Sequence, residues 1–240
     1  MTRKALVISV LVLCLGRYLA VADVLIDTTG GWPGTTIGPF GVAPSGDEVF
    51  GQTVTAPPSD PELYSFTFYM QLPTTVVFRG EVYAWGGTKA SGSDLWEGGP
   101  LHTTNTGLEE FQFDTGGLAL TGGQQYVLFV TTAKDGGSGA GAVGFTGLDT
   151  YGGGNFVYFG GSSTPADWTT TNWDYDAWGA DDLAFKARFG QPGEGQVPEP
   201  GTMALLLMGL PMGLLWRGKR VEKTASARPI FPRFPVFARG

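Results

Sequence analysis

Residues 63–72 constrain the fold more tightly than any other stretch of this chain. Tyr64, Phe66, Phe68, Met70 and Leu72 alternate with Ser65, Thr67, Tyr69 and Gln71. Successive side chains of a strand point to opposite faces, so a period of two predicts one buried face and one wet face. Pro73 and Thr74 turn the chain. Residues 75–85 then repeat the alternation, with Val76, Phe78, Val82 and Ala84 on one face and Arg79, Glu81, Tyr83 and Trp85 on the other.

Further strand-like segments follow the same logic, each bounded by Gly, Pro, Asp or Ser. They are 49–55, 108–114, 125–132, 143–148, 155–159 and 182–189. Residues 125–132 are apolar on both faces, which predicts a central strand covered on each side. In 182–189, Leu183, Phe185, Ala187 and Phe189 face inward. No stretch before residue 200 carries helical periodicity, and self-similar repeats are absent. Short strands with Gly-rich turns and no helices predict an all-β domain, an antiparallel jelly-roll-like β-sandwich, over residues 47–190. Residues 23–46, rich in Gly, Pro and Thr, read as an N-terminal arm with room for one strand, and 191–196 as a linker.

The two ends of the chain carry address signals. Residues 1–22 read as a secretory signal peptide with Arg3 and Lys4 ahead of an apolar run, and Ala20-Val21-Ala22 fits a small-x-small cleavage site. Signal peptidase and the Sec machinery are the implied partners. Cys14, the only cysteine, lies inside that segment, so the mature chain has no thiol chemistry. Near the other end, Pro198 and Pro200 hold 197–200 extended and remove two backbone donors. Residues 202–216 hold no charged side chain. As helix they extend about 22 Å, short of a hydrocarbon core of about 30 Å, and a thinned bilayer or snorkelling ends accommodate such a transmembrane segment. Trp216 and the basic residues that follow suit an interface and the cytoplasmic side. Residues 221–240, with Pro229, Pro232 and Pro235, read as a disordered basic tail.

Charge divides along the chain. Residues 23–199 hold five basic side chains against 21 acidic ones, a net of −16, whereas residues 200–240 hold seven basic and one acidic, a net of +6. A domain this acidic excludes nucleic-acid binding by backbone neutralisation, stays soluble and attracts cations.

The segment Val197, Pro198, Glu199 and Pro200, followed by the apolar run and by Arg217, Lys219 and Arg220, resembles the PEP-CTERM sorting signal of Gram-negative bacteria. The resemblance implies an exosortase-type membrane enzyme as processing partner. It also implies residence in the inner membrane before processing, and delivery to the cell surface or extracellular matrix afterwards. The chain departs from the usual pattern by continuing twenty residues past the basic cluster. Residues 51–57, 63–68, 78–85 and 182–185 are similar to a recurrent β-sandwich carried by many PEP-CTERM proteins, a group whose likeness implies fold and export route but no activity.

Candidate chemistry is sparse. His102, the only histidine, stands in a Gly/Pro/Thr context with no Gly-x-Ser-x-Gly elbow, and reads as a solvated loop residue. One His without a mature Cys does not build the usual zinc site. The Gly runs precede no helix and no Gly-Lys-Ser/Thr, so they are turns. The richest cluster is 167–182. There Asp174, Asp176, Asp181 and Asp182 are candidate Ca²⁺ ligands, and Trp168, Trp173, Tyr175 and Trp178 are candidate platforms for sugar stacking. The same residues also read as an aromatic cap on one end of the sandwich with solvated aspartates. No two carboxylates are fixed at a glycosidase spacing, so the domain reads as non-catalytic. The sequence therefore points to an exported surface or exopolysaccharide-matrix protein with a structural or adhesive sandwich. The alternatives are a carbohydrate-binding module, Ca²⁺-dependent in one version, and more remotely a glycoside hydrolase.

Overall fold

A computed structural model describes residues 23–103, 106–135, 137–175 and 181–190. The signal segment, the linker, the sorting segment with its apolar run 202–216, and the basic tail lie outside the described residues. Among the described residues no helix is long and apolar enough to cross a membrane.

The described residues form an all-β structure of two antiparallel sheets with one short helix. In chain order the strands are β1 Val24–Asp27, β2 Thr36–Gly41, β3 Val49–Thr55, β4 Glu62–Gln71, β5 Val77–Trp85, β6 Ala90–Glu97, β7 Leu101–His102, β8 Glu109–Ala119, β9 Gln125–Thr131, β10 Ala140–Gly144 and β11 Phe156–Phe159. Then come α1 Pro165–Thr170, β12 Asp174–Tyr175 and β13 Phe185–Gly190. The first sheet runs β1-β13-β4-β10-β2, with β8 on the other edge of β4. The second runs β12-β11-β3-β9-β5-β6, with β7 also on β5. From β2 to β5 and again from β7 to β11, each successive strand changes sheet. The arm expected to hold one strand holds two, and both are built into the first sheet.

The alternation in residues 63–72 survives with one change of parity. Phe66, Phe68, Met70 and Leu72 are buried as expected, but Leu63, not Tyr64, completes the set. Against β13, Ser65 pairs with Arg188 and Leu63 with Phe189, which leaves Tyr64 as the extra residue of a bulge. A bulge shifts the face of everything beyond it, so Tyr64 turns to the outer side.

The main core lies between the sheets, where Phe66, Phe68, Phe78, Leu128, Val130, Phe156 and Phe185 meet. A second core lies on the outer face of the second sheet. Val49, Tyr83, Val127, Phe129 and Val157 point there and are covered by Trp168 and Trp173. The doubly apolar β9 thus serves both cores, with Tyr126, Leu128 and Val130 on one side and Val127 and Phe129 on the other.

The cover is anchored by local chemistry. The Asp167 carboxylate accepts hydrogen bonds from Thr164 N (2.8 Å) and Thr164 Oγ1 (2.7 Å) at the start of α1. Those bonds hold the Asp167 pKa below the usual carboxylate range. Pro165 opens the helix, where a missing N–H costs nothing. Trp168 Nε1 donates to Ser163 Oγ (3.0 Å) and Trp173 Nε1 to the Trp168 carbonyl (2.9 Å).

Candidate functional site

The aspartates expected to bind Ca²⁺ do not converge. Asp182 is fully buried at the entry to β13. Its Oδ1 accepts from Gln52 Nε2 (2.7 Å), and its Oδ2 accepts from Thr150 N (2.7 Å), Thr150 Oγ1 (3.0 Å) and Tyr151 N (2.6 Å). Both oxygens are committed to protein donors, so Asp182 ties the 150–151 loop to β3 and is not available as a ligand. Burial pushes its pKa up, against the opposing pull of these hydrogen bonds. Asp174 is exposed on β12 opposite Tyr158. The Asp181 carbonyl accepts from Phe156 N. Asp176 lies outside the described residues. Among the described residues no three metal-binding side chains gather.

The expected sugar platform is also displaced. Trp168 is 0% and Trp173 3% exposed. Trp168 packs edge-to-face on Tyr83 and Phe129, and Trp173 does so on Trp85 and Phe129. Neither indole has a face free for a pyranose ring, and instead of capping one end of the sandwich the two rings cover the outer face of the second sheet. Tyr175 belongs to β12, and Trp178 lies outside the described residues. His102 is exposed on β7, paired with Val77.

Two arrangements were not read from the sequence. The first is a charge network under the rim of the second core. Glu81 on β5 stands directly opposite Glu97 on β6, a like-charge pairing that destabilises a sheet unless it is neutralised. Lys134 Nζ neutralises both, lying 2.8 Å from Glu81 Oε1 and 2.7 Å from Glu97 Oε2, and it also sits 5.4 Å over the Trp168 ring. Arg79 pairs with Glu97 and, in a two-pronged contact, with Asp135 (2.8 and 2.5 Å). Glu81 is fully buried, and its Oε2 has no hydrogen-bond partner. Burial pushes the Glu81 pKa up to about 7, whereas the hydrogen bond from Lys134 holds Glu97 below its usual value. A divergent carboxylate pair is a pattern of acid–base sites; here Glu81 is buried and its Oε1 faces Lys134. The network works as a clamp between β5, β6 and the turn after β9.

The second arrangement lies on the outer face of the first sheet, where Trp32, Tyr64 and Tyr69 are half-buried outside both cores. Trp32 Nε1 donates to the carbonyls of Thr35 (3.0 Å) and Phe145 (3.1 Å). Its ring centroid is 5.1 Å from that of Tyr69, whose hydroxyl donates to Glu110 Oε2 (3.1 Å).

A small cleft of about 140 Å³ opens between β2 and β11, lined by Ile37, Gly38, Asp47, Phe50, Phe156 and Tyr158. Asp47 Oδ1 there accepts from Gly161 N (2.7 Å), which commits it to the loop after β11. No family model, no curated protein and no solved structure matches this chain.

Proposed function

We propose that this chain is an exported bacterial protein of the cell surface or exopolysaccharide matrix, sorted and processed through its C-terminal PEP-CTERM-like signal, with a jelly-roll-like sandwich that acts without catalysis as a structural or adhesive module. The observation that carries the reading is the order of three parts in one segment. Val197, Pro198, Glu199 and Pro200 are followed by an uncharged run and then by Arg217, Lys219 and Arg220. An extended Pro-Glu-Pro turn suits a protease-like partner, and the Gly/Pro-rich linker keeps it clear of the folded sheets. The strand order, which changes sheet at most steps, supports the jelly-roll-like form. Two of the four buried carboxylates, Asp182 and Glu81, face internal partners, which fits a non-catalytic reading.

The test is expression in hosts with and without an exosortase, followed by intact mass and fractionation. A released form ending near residues 198–201 in the exosortase host alone is the expected outcome. A chain that retains residues 202–240 in both hosts overturns processing and leaves a single-span anchored protein.

A further inference from the structure

A sheet edge is a row of unpaired N–H and C=O groups that accepts another strand unless something blunts it. Among the described residues most edges of this sandwich are blunted. β1 is four residues long, and β7 and β12 are two each. β2 carries Pro39 and shifts register against β10. β6 bulges between Ser91 and Trp96, where its register against β5 shifts. β8 is the exception. From Glu109 to Asp114 it pairs one-to-one with Met70 to Ser65 of β4, six residues and roughly 20 Å of unbulged strand. Its other side carries no strand among the described residues, and no backbone bond outside the β4 ladder joins 110–114 to another described segment.

The side chains of this edge define what fits beside it. Residues directly opposite in an antiparallel pair share a face. Glu110, Gln112 and Asp114 stand opposite Tyr69, Thr67 and Ser65, and all three are exposed on the outer face. Phe111 and Phe113 stand opposite Phe68 and Phe66 on the core side, where Phe113 neighbours the half-buried Trp96 at 6.5 Å between centroids. The strand holds three carboxylates and no basic residue. Glu110 accepts from the Tyr69 hydroxyl and Asp114 Oδ1 from Gly116 N (3.0 Å), so two of these charges are fixed in place.

We infer that residues 109–114 of β8 are a docking edge for an extended segment of a partner protein that alternates basic with apolar residues. Alternate residues of a strand turn their backbone groups to opposite sides, so about three residues of this edge offer N–H and C=O groups to an added strand. The basic side chains of that strand stand beside Glu110, Gln112 and Asp114, where opposite charges on neighbouring strands are stabilising. Its apolar side chains continue the main core past Phe111 and Trp96. A second copy of this chain does not fit. Two β8 strands set antiparallel and centred on Gln112 bring Glu110 against Asp114, a like-charge pairing. The net charge of −16 over residues 23–199 adds repulsion at longer range between copies and attracts a basic segment. This rests on the adhesive part of the proposed function and names the class of partner. It does not depend on the sorting signal, so its failure and a failure of processing are read separately.

The test is titration of the full chain, in mild non-ionic detergent, with a labelled synthetic peptide of about eight residues alternating Lys and Val, a length that matches the edge. Three control peptides accompany it: the same residues arranged in two blocks, the alternating peptide N-methylated along its backbone, and a Glu–Val alternation. The alternating Lys–Val peptide is expected to bind at least about tenfold more tightly than each control. Deuterium exchange should show that it protects amides of 109–114 that exchange in the free chain. Gln112→Lys should weaken binding by about tenfold or more, and Gln112→Glu should tighten it. Asp149→Asn makes the same change of net charge as Gln112→Lys at an exposed loop position, and should stay within about twofold of the native chain. Melting curves verify that each variant is folded. Equal binding of the block or N-methylated peptide, protection at another edge only, no binding of the alternating peptide, or undiminished binding by a folded Gln112→Lys chain overturns the inference.

Discussion

At the scale of single residues, Glu81 governs how this domain responds to pH. Its folded pKa of about 7 lies above the ordinary glutamate value of 4.5, with burial as the main cause. A raised pKa means the folded state holds its proton more tightly than the unfolded state does. The stability Glu81 contributes is therefore fully present below about pH 4.5 and is lost as pH rises through about 7. Glu97 acts in the opposite sense, because its lowered pKa makes it stabilising above the ordinary value and costly only in acid. Glu81→Gln removes the first effect and keeps the shape of the side chain. The melting temperature of the variant relative to the native chain should thus climb between about pH 5 and pH 7 and level off above that. A difference that stays constant across that range would show that Glu81 does not titrate there.

At the scale of elements, α1 and the segment around it exist because of what they cover. Six residues of helix cannot hold themselves together in water, since nucleation alone is unfavourable. The helix is kept by Trp168, fully buried against Tyr83 and Phe129 and flanked by Lys134. Trp168→Ala should cost about 3–5 kcal/mol in urea unfolding. It should also make residues 160–173 an early site of limited proteolysis while the main core stays intact. A loss below about 1 kcal/mol would mean that the cover contributes little. The bulge at Tyr64 is a second element-scale device: one unpaired residue turns an aromatic ring from the core side to the outer face.

At the scale of the whole molecule, charge and topology set the behaviour. A net of −16 over residues 23–199 repels itself, so raising NaCl from low to moderate concentration should raise the melting temperature through screening. Among the candidate cation ligands, Asp182 is committed to four protein donors. Millimolar Ca²⁺ and Mg²⁺ should therefore shift the melting curve equally, with EDTA returning both to the starting point. A Ca²⁺ shift that grows with ligand excess and exceeds that of Mg²⁺ would show a specific site. Strands that alternate between sheets also make nearly every pairing non-local, and loop closure must precede each one, which is the arrangement that folds slowly.

The sequence by itself determined the class of fold and the inward face of most strands. The alternation in residues 63–72 and 75–85 and the double apolarity of 125–132 are written in neighbouring residues, because strand geometry turns successive side chains to opposite faces whatever lies beyond. That is why Phe66, Phe68, Phe78 and Phe185 could be placed in the core and β9 at the centre. Tyr64 was misplaced, because a bulge depends on the register of a partner strand more than 120 residues away. Trp168 and Trp173 resembled a sugar platform, and Asp182 a metal ligand, for the same reason. A local cluster of aromatic and acidic residues looks alike whether it faces water or a second core. Only the tertiary structure decided that Trp168 covers Phe129, that Asp182 meets Gln52 across 130 positions, and that Lys134 stands between Glu81 and Glu97. It alone also brought Trp32 to Tyr69 over Gly144. Each of these partnerships joins segments distant in the chain, and its strength depends on the burial that the whole fold imposes, which no local spacing encodes.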